Sequence, residues 1–248
     1  MHRFYADSPL SSDKPLVILS PEDSRHAVRV LRLRKNDPVE LMTNGQRYSA
    51  VIEESDPSAV VLRKTGTLPS TEPNLKITLF QGLPKADKME YIIQKSVEVG
   101  VCRIVPFLSS RCVVRWDARD SAKKIERWQR IAREAGKQSG RCVIPEILSP
   151  VQFHDICSFE QPPDACVVPW ENAASRGPVS FMKDHPALSS LGIMIGPEGG
   201  LDESEIKSVS AVFEPLTLGP RILRTETAGL VAASAFLALS GEMENHAQ

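Results

Sequence analysis

Ile195-Gly-Pro-Glu-Gly-Gly-Leu201 and Leu218-Gly-Pro-Arg-Ile-Leu-Arg-Thr-Glu-Thr-Ala228 decide how this chain reads. Each begins where an apolar, strand-like run ends, Leu191–Ile195 and Glu214–Leu218, and each leads directly into a helical pattern. After the first turn, Asp202-x-x-Glu205 starts a helix as a capping box with Asp in place of Ser or Thr. After the second, Thr225-Glu226-Thr227 can cap a helix over Thr227–Leu239 that stops at Gly241. Ligands of open α/β sheets bind beyond the carboxyl ends of strands, where the next helix begins. Glycines there let the backbone approach a ligand closely. Ile222 and Leu223, apolar in an otherwise polar loop, fit residues that support a pocket.

Upstream, strands continue to alternate with helices. Ile77–Gln81, Cys102–Phe107 and Ala165–Val168 read as strands. Ala86–Val99 reads as a helix with Met89, Ile92, Ile93, Ser96 and Val97 on one side, ended by Gly100. A second helix runs from Ser121 to Lys137. Such alternation argues a mostly parallel sheet covered by helices. The first seventy residues differ: strand-like Val39–Met42, Tyr48–Glu53 and Ala59–Arg63 are separated by turn signals at Asn44-Gly45 and Asp56-Pro57. One helix interrupts them, with Ser20 as cap, Pro21 at its first position, and Glu22 and Asp23 at its positive end. This is the pattern of a small β-barrel-type module. The polar stretch Leu68–Asn74 reads as a linker, dividing the chain into residues 1–70 and 71–248.

The 248 residues are 42% hydrophobic and 25% charged with a formal net charge of −1, as in an ordinary soluble protein without a global basic excess. Met1–Asp7 lacks the apolar run of a secretory signal, and no stretch reaches the ~18 apolar residues of a membrane span. Cys102, Cys112, Cys142, Cys157 and Cys166 form no C-x-x-C pair, so they read as buried or incidental thiols in a reducing cytoplasm. No metal-ligand spacing is present. A P-loop and a G-x-G-x-x-G fingerprint are both missing, which disfavours a nucleotide-phosphate enzyme. Glu198 would repel a phosphate and favour a positively charged ligand such as a sulfonium, unless it is simply a solvated loop residue.

Charge is unevenly spread. Arg25, Arg29, Arg32, Arg34 and Lys35 cluster without an acid, and residues Arg111–Arg141 hold ten Arg or Lys against four Asp or Glu. On a helix, Ile125, Trp128, Ala132 and Ala135 share one face, the expected core stripe, while Lys123, Arg127, Arg130 and Lys137 lie opposite. With Arg111, Arg115 and Arg141 the basic side suggests a phosphate-tracking surface. Tyr5 and Trp116 could stack bases.

Six motifs in this order, His2-Arg3-Phe4, His26-Ala-Val-Arg-Val-Leu-Arg-Leu33, Lys95-Ser-Val-Glu-Val-Gly100, Gln138-Ser-Gly-Arg141, Ile195–Gly200 and Leu218–Ala228, closely resemble the knotted SPOUT methyltransferases. The specific likeness is to the RsmE family, which methylates uracil N3 in 16S rRNA. The resemblance implies an α/β fold: a trefoil-knotted SPOUT domain with a parallel sheet, a PUA-like N-terminal β-barrel domain, and a homodimer. It implies S-adenosyl-L-methionine as cofactor, held by backbone groups of Ile195, Gly196, Leu218 and Leu223. Pro197, Glu198, Ile222 and Thr227 complete that site, Gly199 and Gly219 permit its bends, and the turn at Pro169 is a third wall.

Uracil N3 must lose a proton before it attacks a methyl group. Arg141 and Arg221 are the candidates for stabilising the resulting anion, Glu198 for accepting the proton, and Gln138 for reading the base. Arg3, Arg25, Arg29, Arg32, Arg34, Arg111, Arg115, Arg127, Arg130, Lys137, Gln138 and Arg141 form the expected RNA surface, with 16S rRNA in the 30S subunit as partner. His26 amid its arginines is expected to face RNA or solvent. Ala228, Gly229, Ala232, Ala233 and Ala235 predict close packing of the last helix, against its own sheet or across a dimer interface. Two alternatives stay open: a SPOUT enzyme with another RNA target, and a non-catalytic RNA-binding protein of ribosome assembly.

Overall fold

A computed structural model describes residues 1–6, 15–43, 45–114, 116–173 and 176–244, without the side chains of 118–120. The chain divides into two compact units, Met1–Glu72 with Gly136–Ile144, and Pro73–Ala135 with Pro145–Gln248.

The first unit contains β1 (His2–Tyr5), β2 (Leu16–Ile18), α1 (Pro21–Arg25), β3 (Pro38–Thr43), β4 (Gln46–Asp56) and β5 (Ala59–Leu68). Its sheet runs β1-β3-β4-β5-β2, with β1 parallel to β3 and the other pairs antiparallel. Strand alternation turns Tyr48, Ala50 and Ile52 of β4 inward, where they meet Phe4, Val17, Leu41 and Leu62 in one core. Ser20 caps α1 as its position suggested: its Oγ accepts from the Asp23 N–H at 3.1 Å. Buried Ser24 joins α1 to β5, because its hydroxyl oxygen accepts from the Val60 N–H at 3.0 Å.

A linear division at residue 70 misses the return of Gly136–Ile144 to this unit. The linker-like stretch before Asn74 is firmly held there. Thr71 donates to the Gly140 carbonyl at 2.6 Å, and the Tyr5 hydroxyl donates to the carbonyl of Arg141.

The second unit contains β6 (Lys76–Gly82), α2 (Lys88–Val99), β7 (Arg103–Leu108), α3 (Ala118–Ser139, of which 136–139 belong to the first unit), β8 (Glu146–Ile147), β9 (Val151–Gln152), β10 (Ala165–Pro169), α4 (Pro178–Asp184), β11 (Ser190–Ile195), α5 (Glu203–Val209), β12 (Phe213–Leu216) and α6 (Thr225–Leu239). The seven-stranded sheet runs β12-β10-β11-β6-β7-β8, with β9 also on β7, and each pair is parallel. Its middle strands are buried along almost their whole length, as both faces of a parallel sheet are covered. On one face Phe80, Val105, Val168 and Met194 pack with Ile206 and Val209 of α5.

On the other face Gly229 of α6 lies against the sheet, where an added Cβ would come within 3.3 Å of Leu79 and 3.6 Å of Ile195. Gly229 therefore serves the contact of α6 with its own sheet. Met89, Ile92, Ile93, Ser96 and Val97 are the buried side of α2, and Gly100 ends it at φ 122°. Ala86 stays outside that helix at φ 52°. The core stripe of α3 is also as its spacing predicted, with Trp128, Ala132 and Ala135 buried. Among the described residues no helix is long and apolar enough to cross a membrane.

Candidate active site

Three adjacent strands, β12, β10 and β11, end side by side, and the turns after them enclose a cleft of about 990 Å³. That is the upper end of the roughly 300–1,000 Å³ usual for small-molecule sites. The first turn contributes Ile195, Gly196, Pro197, Glu198 and Gly199, and the second Leu218, Gly219, Arg221, Ile222 and Leu223. Pro169 opens the third wall and is followed by Trp170, Glu171 and Ala173. Thr227 does not line the cleft. It is exposed on α6, and Thr225, Glu226 and Ala228 reach the cleft instead.

The glycines divide their duties differently from expectation. Gly219 takes φ 99° and bends the second turn, but in the first turn the left-handed residue is Gly200, at φ 68°, rather than Gly199. The carbonyl of Gly199 accepts from Arg111 Nη1 at 2.9 Å, so this arginine buttresses the turn. Pro197 lies so near the end of β6 that a Cβ on Gly82 would sit 2.6 Å from it.

Behind the cleft runs a buried hydrogen-bond relay. Gln81, fully buried at the end of β6, donates through Nε2 to the Gly82 carbonyl at 3.1 Å and to Thr225 Oγ1 at 2.9 Å. Thr225 in turn donates to the Gly196 carbonyl at 2.7 Å. This overturns the cap expected from Thr225–Thr227: Arg224 is the N-cap of α6, without a side-chain cap bond. Gln81 Oε1 is left buried without a hydrogen-bond partner among the described residues, a cost of about 1–3 kcal/mol.

At the cleft wall Lys88 Nζ stands 3.1 Å from Glu198 Oε1 and 3.2 Å from Glu226 Oε2. Lys88 lies more than a hundred residues from Glu198, and no local pattern marked it. Partial burial works to raise the Glu198 pKa, yet hydrogen bonds from its own backbone amide, Lys88 and the Lys85 N–H hold it below the ordinary carboxylate range. The Glu198 bond raises the Lys88 pKa in return. A carboxylate so stabilised is a weak base, which favours Glu198 as the electrostatic partner of Lys88 over proton acceptor.

The two candidate arginines separate. Arg221 is exposed at the cleft. Arg141 is 3% exposed, its guanidinium held in a bidentate pair with Glu72 at 3.0 and 2.7 Å. An arginine so enclosed presents nothing to RNA or to a substrate, so its sequence-based role is corrected to a structural one.

Of the expected RNA residues, Arg25, Arg29, Arg32, Arg34, Arg130 and Gln138 are exposed, as is His26. Others are engaged within their own unit: Arg3 with Glu40 and the Gln138 carbonyl, Lys137 with Asp23, and Arg127 with Glu90. Arg115 lies outside the described residues. Trp116 stacks on Trp128 at 5.5 Å and carries Lys124 Nζ 5.2 Å from its ring centroid, so it presents no unencumbered stacking platform.

Two family models match this chain: an RNA methyltransferase domain over residues 71–237 and an RNA methyltransferase PUA domain over 19–65. Ribosomal RNA small subunit methyltransferase E of Bacillus subtilis is 36% identical over 234 residues, covering 90% of each chain. The chain belongs to this RsmE family of RNA methyltransferases. The RsmE structure of Neisseria gonorrhoeae, bound to S-adenosyl methionine, is 33% identical with TM-score 0.82 over 96% of this chain and 98% of that one. A Legionella pneumophila methyltransferase in complex with the same cofactor is 35% identical with TM-score 0.80, over 95% and 96%. The RsmE make-up, one PUA-type unit and one parallel-sheet methyltransferase unit, is thus the one described here.

Proposed function

We propose that this chain is an S-adenosylmethionine-dependent methyltransferase acting on N3 of a uridine in 16S rRNA. The observation that carries the reading is the cleft between three parallel strand ends, walled by the two glycine turns, in a chain of the RsmE family.

The residues present suit the cofactor. The cleft has room for a nucleoside with an amino-acid arm. A Cβ on Gly196 would come within 3.0 Å of the Gly200 backbone, so the turn can close on itself only with glycine there, and both glycines line the cleft. Two carboxylates, Glu198 and Glu226, share one lysine at the cleft wall. When bound, the cofactor supplies a methyl group on a positively charged sulfur.

The chain's own groups then have distinct duties. Main-chain groups of Ile195, Gly196, Leu218 and Leu223 hold the adenosine end, with Pro169 and Trp170 closing the third side. Arg221 stabilises the uracil anion formed when the N3 proton passes to water, and positioning of that anion contributes much of the rate. The exposed arginines Arg25, Arg29, Arg32 and Arg34 track phosphates. The substrate is the rRNA within the 30S subunit, the working form is a homodimer, and its compartment is the cytoplasm.

The test is to incubate the protein and labelled S-adenosylmethionine with 30S subunits that lack the modification, then identify the labelled nucleoside by mass spectrometry. 3-Methyluridine is expected. Label in another nucleoside overturns the N3 assignment, and no label overturns the catalytic reading. Equal turnover on free 16S rRNA argues against the assembled substrate, a fully active monomer in sedimentation against the dimer, and a membrane or exported pool on fractionation against the cytoplasm.

A further inference from the structure

We propose that Thr225 and Gln81 are positioning residues that set the first cofactor turn through the Gly196 carbonyl. The inference rests on the reading that the two turns hold S-adenosylmethionine.

The peptide joining Gly196 to Pro197 has no N–H, because proline lacks one, so only its carbonyl can be anchored by a hydrogen bond. That carbonyl accepts from Thr225 Oγ1 at 2.7 Å. Because the hydroxyl spends its one proton there, it can meet Gln81 only as an acceptor, and Gln81 Nε2 supplies the donor at 2.9 Å. The same Nε2 faces the Gly82 carbonyl at 3.1 Å. A reversed amide would place two oxygens together at Gly82, so the orientation of Gln81 is determined. The relay therefore runs one way, from β6 through the first residue of α6 to the first turn. Thr225 and Gln81 are buried, and neither needs to touch the cofactor to fix the plane of a peptide that does. The Gly196 peptide lines the cleft, and Thr225 begins the helix that follows the second turn. One hydroxyl thus ties the two turns together.

The test compares Thr225→Val, which keeps the shape and loses the hydroxyl, with Thr225→Ser, which keeps the hydroxyl. Calorimetry with S-adenosylmethionine should show the dissociation constant raised about tenfold in Thr225→Val, equivalent to ~1.4 kcal/mol. Thr225→Ser should bind within about twofold of wild type, as expected if the hydroxyl rather than the packing is what matters. Gln81→Met should weaken binding in the same sense, and it decides the question if Thr225→Val does not fold. Wild-type affinity in the valine variant, or equal loss in serine and valine, overturns the inference. Gly219→Val separates this from the site itself: its φ of 99° does not suit valine. If Gly219→Val abolishes binding while Thr225→Val and Gln81→Met leave it intact, only the positioning role fails. If Gly219→Val also binds normally, the cofactor reading of the turns fails.

Discussion

The Glu72 carboxylate accepts from Nε and Nη2 of the Arg141 guanidinium and from the backbone N–H groups of Cys142 and Val143, the latter at 2.7 and 3.1 Å. Both side chains are under one-tenth exposed. Glu226, by contrast, shares Lys88 with Glu198, and its Oε2 lies 3.2 Å from the ammonium without hydrogen-bond geometry. Lys88 itself is a third exposed. Both clusters use the same chemistry of carboxylate and cation. The first is closed: its charges are desolvated, matched and unavailable. The second is open, with carboxylate capacity and solvent access left at the wall of a cleft. Basic residues near a sequence motif therefore divide by what their hydrogen-bonding capacity is already spent on.

The sharpest way to break this contrast is Glu72→Gln, which takes the carboxylate charge away from a buried guanidinium. The first unit should lose about 3–5 kcal/mol, read as a lower urea midpoint. An unchanged midpoint would mean that the pair is not the closed cluster described. Acid should act on the same group more gradually. Burial alone would raise the Glu72 pKa, but Arg141 and two backbone amides hold it below its ordinary value. Its contribution is therefore full above the unfolded carboxylate pKa of about 4.3 and is lost as pH falls through the lower folded value. Urea midpoints should hold down to about pH 4.3 and fall below it in the wild type, and Glu72→Gln should lack that share of the slope.

Exposed arginines should behave in the opposite way. Arg29→Ala and Arg32→Ala should leave the midpoint nearly unchanged while weakening RNA binding, each lowering the salt slope of affinity by about one. A smaller effect is expected at the open cluster. Lys88→Met should not measurably move the urea midpoint but should raise the preference for S-adenosylmethionine over its neutral demethylated product about threefold. That is the scale of one charge acting over several ångströms in a water-like medium. Unaltered discrimination in calorimetry would show that the cluster does not sense ligand charge.

What the sequence reveals follows from what is local. The buried side of α2, the Ser20 cap and the Asp202–Glu205 capping box are written in spacings of three and four residues, and all are present. The two turns are legible because strand end, glycine and helix start are contiguous. Pairing across long separations is not. Arg141 meets Glu72 across 69 residues, from a stretch whose polar composition reads as a linker. Lys88, Gln81 and the inward hydroxyl of Thr225 belong to the site only because parallel strands bring their ends together. Thr225 shows the limit most clearly, since Thr at a helix start is read as a cap until a buried acceptor is seen to claim its hydroxyl.

The strand order holds one more consequence. Because β10 lies between β11 and β12, the two glycine turns stand two ladder steps apart, roughly 9–10 Å at the sheet's fixed spacing of about 4.7–4.9 Å per step. The sheet acts as a ruler whose divisions no loop substitution can alter. Exchanging turn residues leaves the gauge of the cleft constant, and changing that gauge would require inserting or deleting a whole strand.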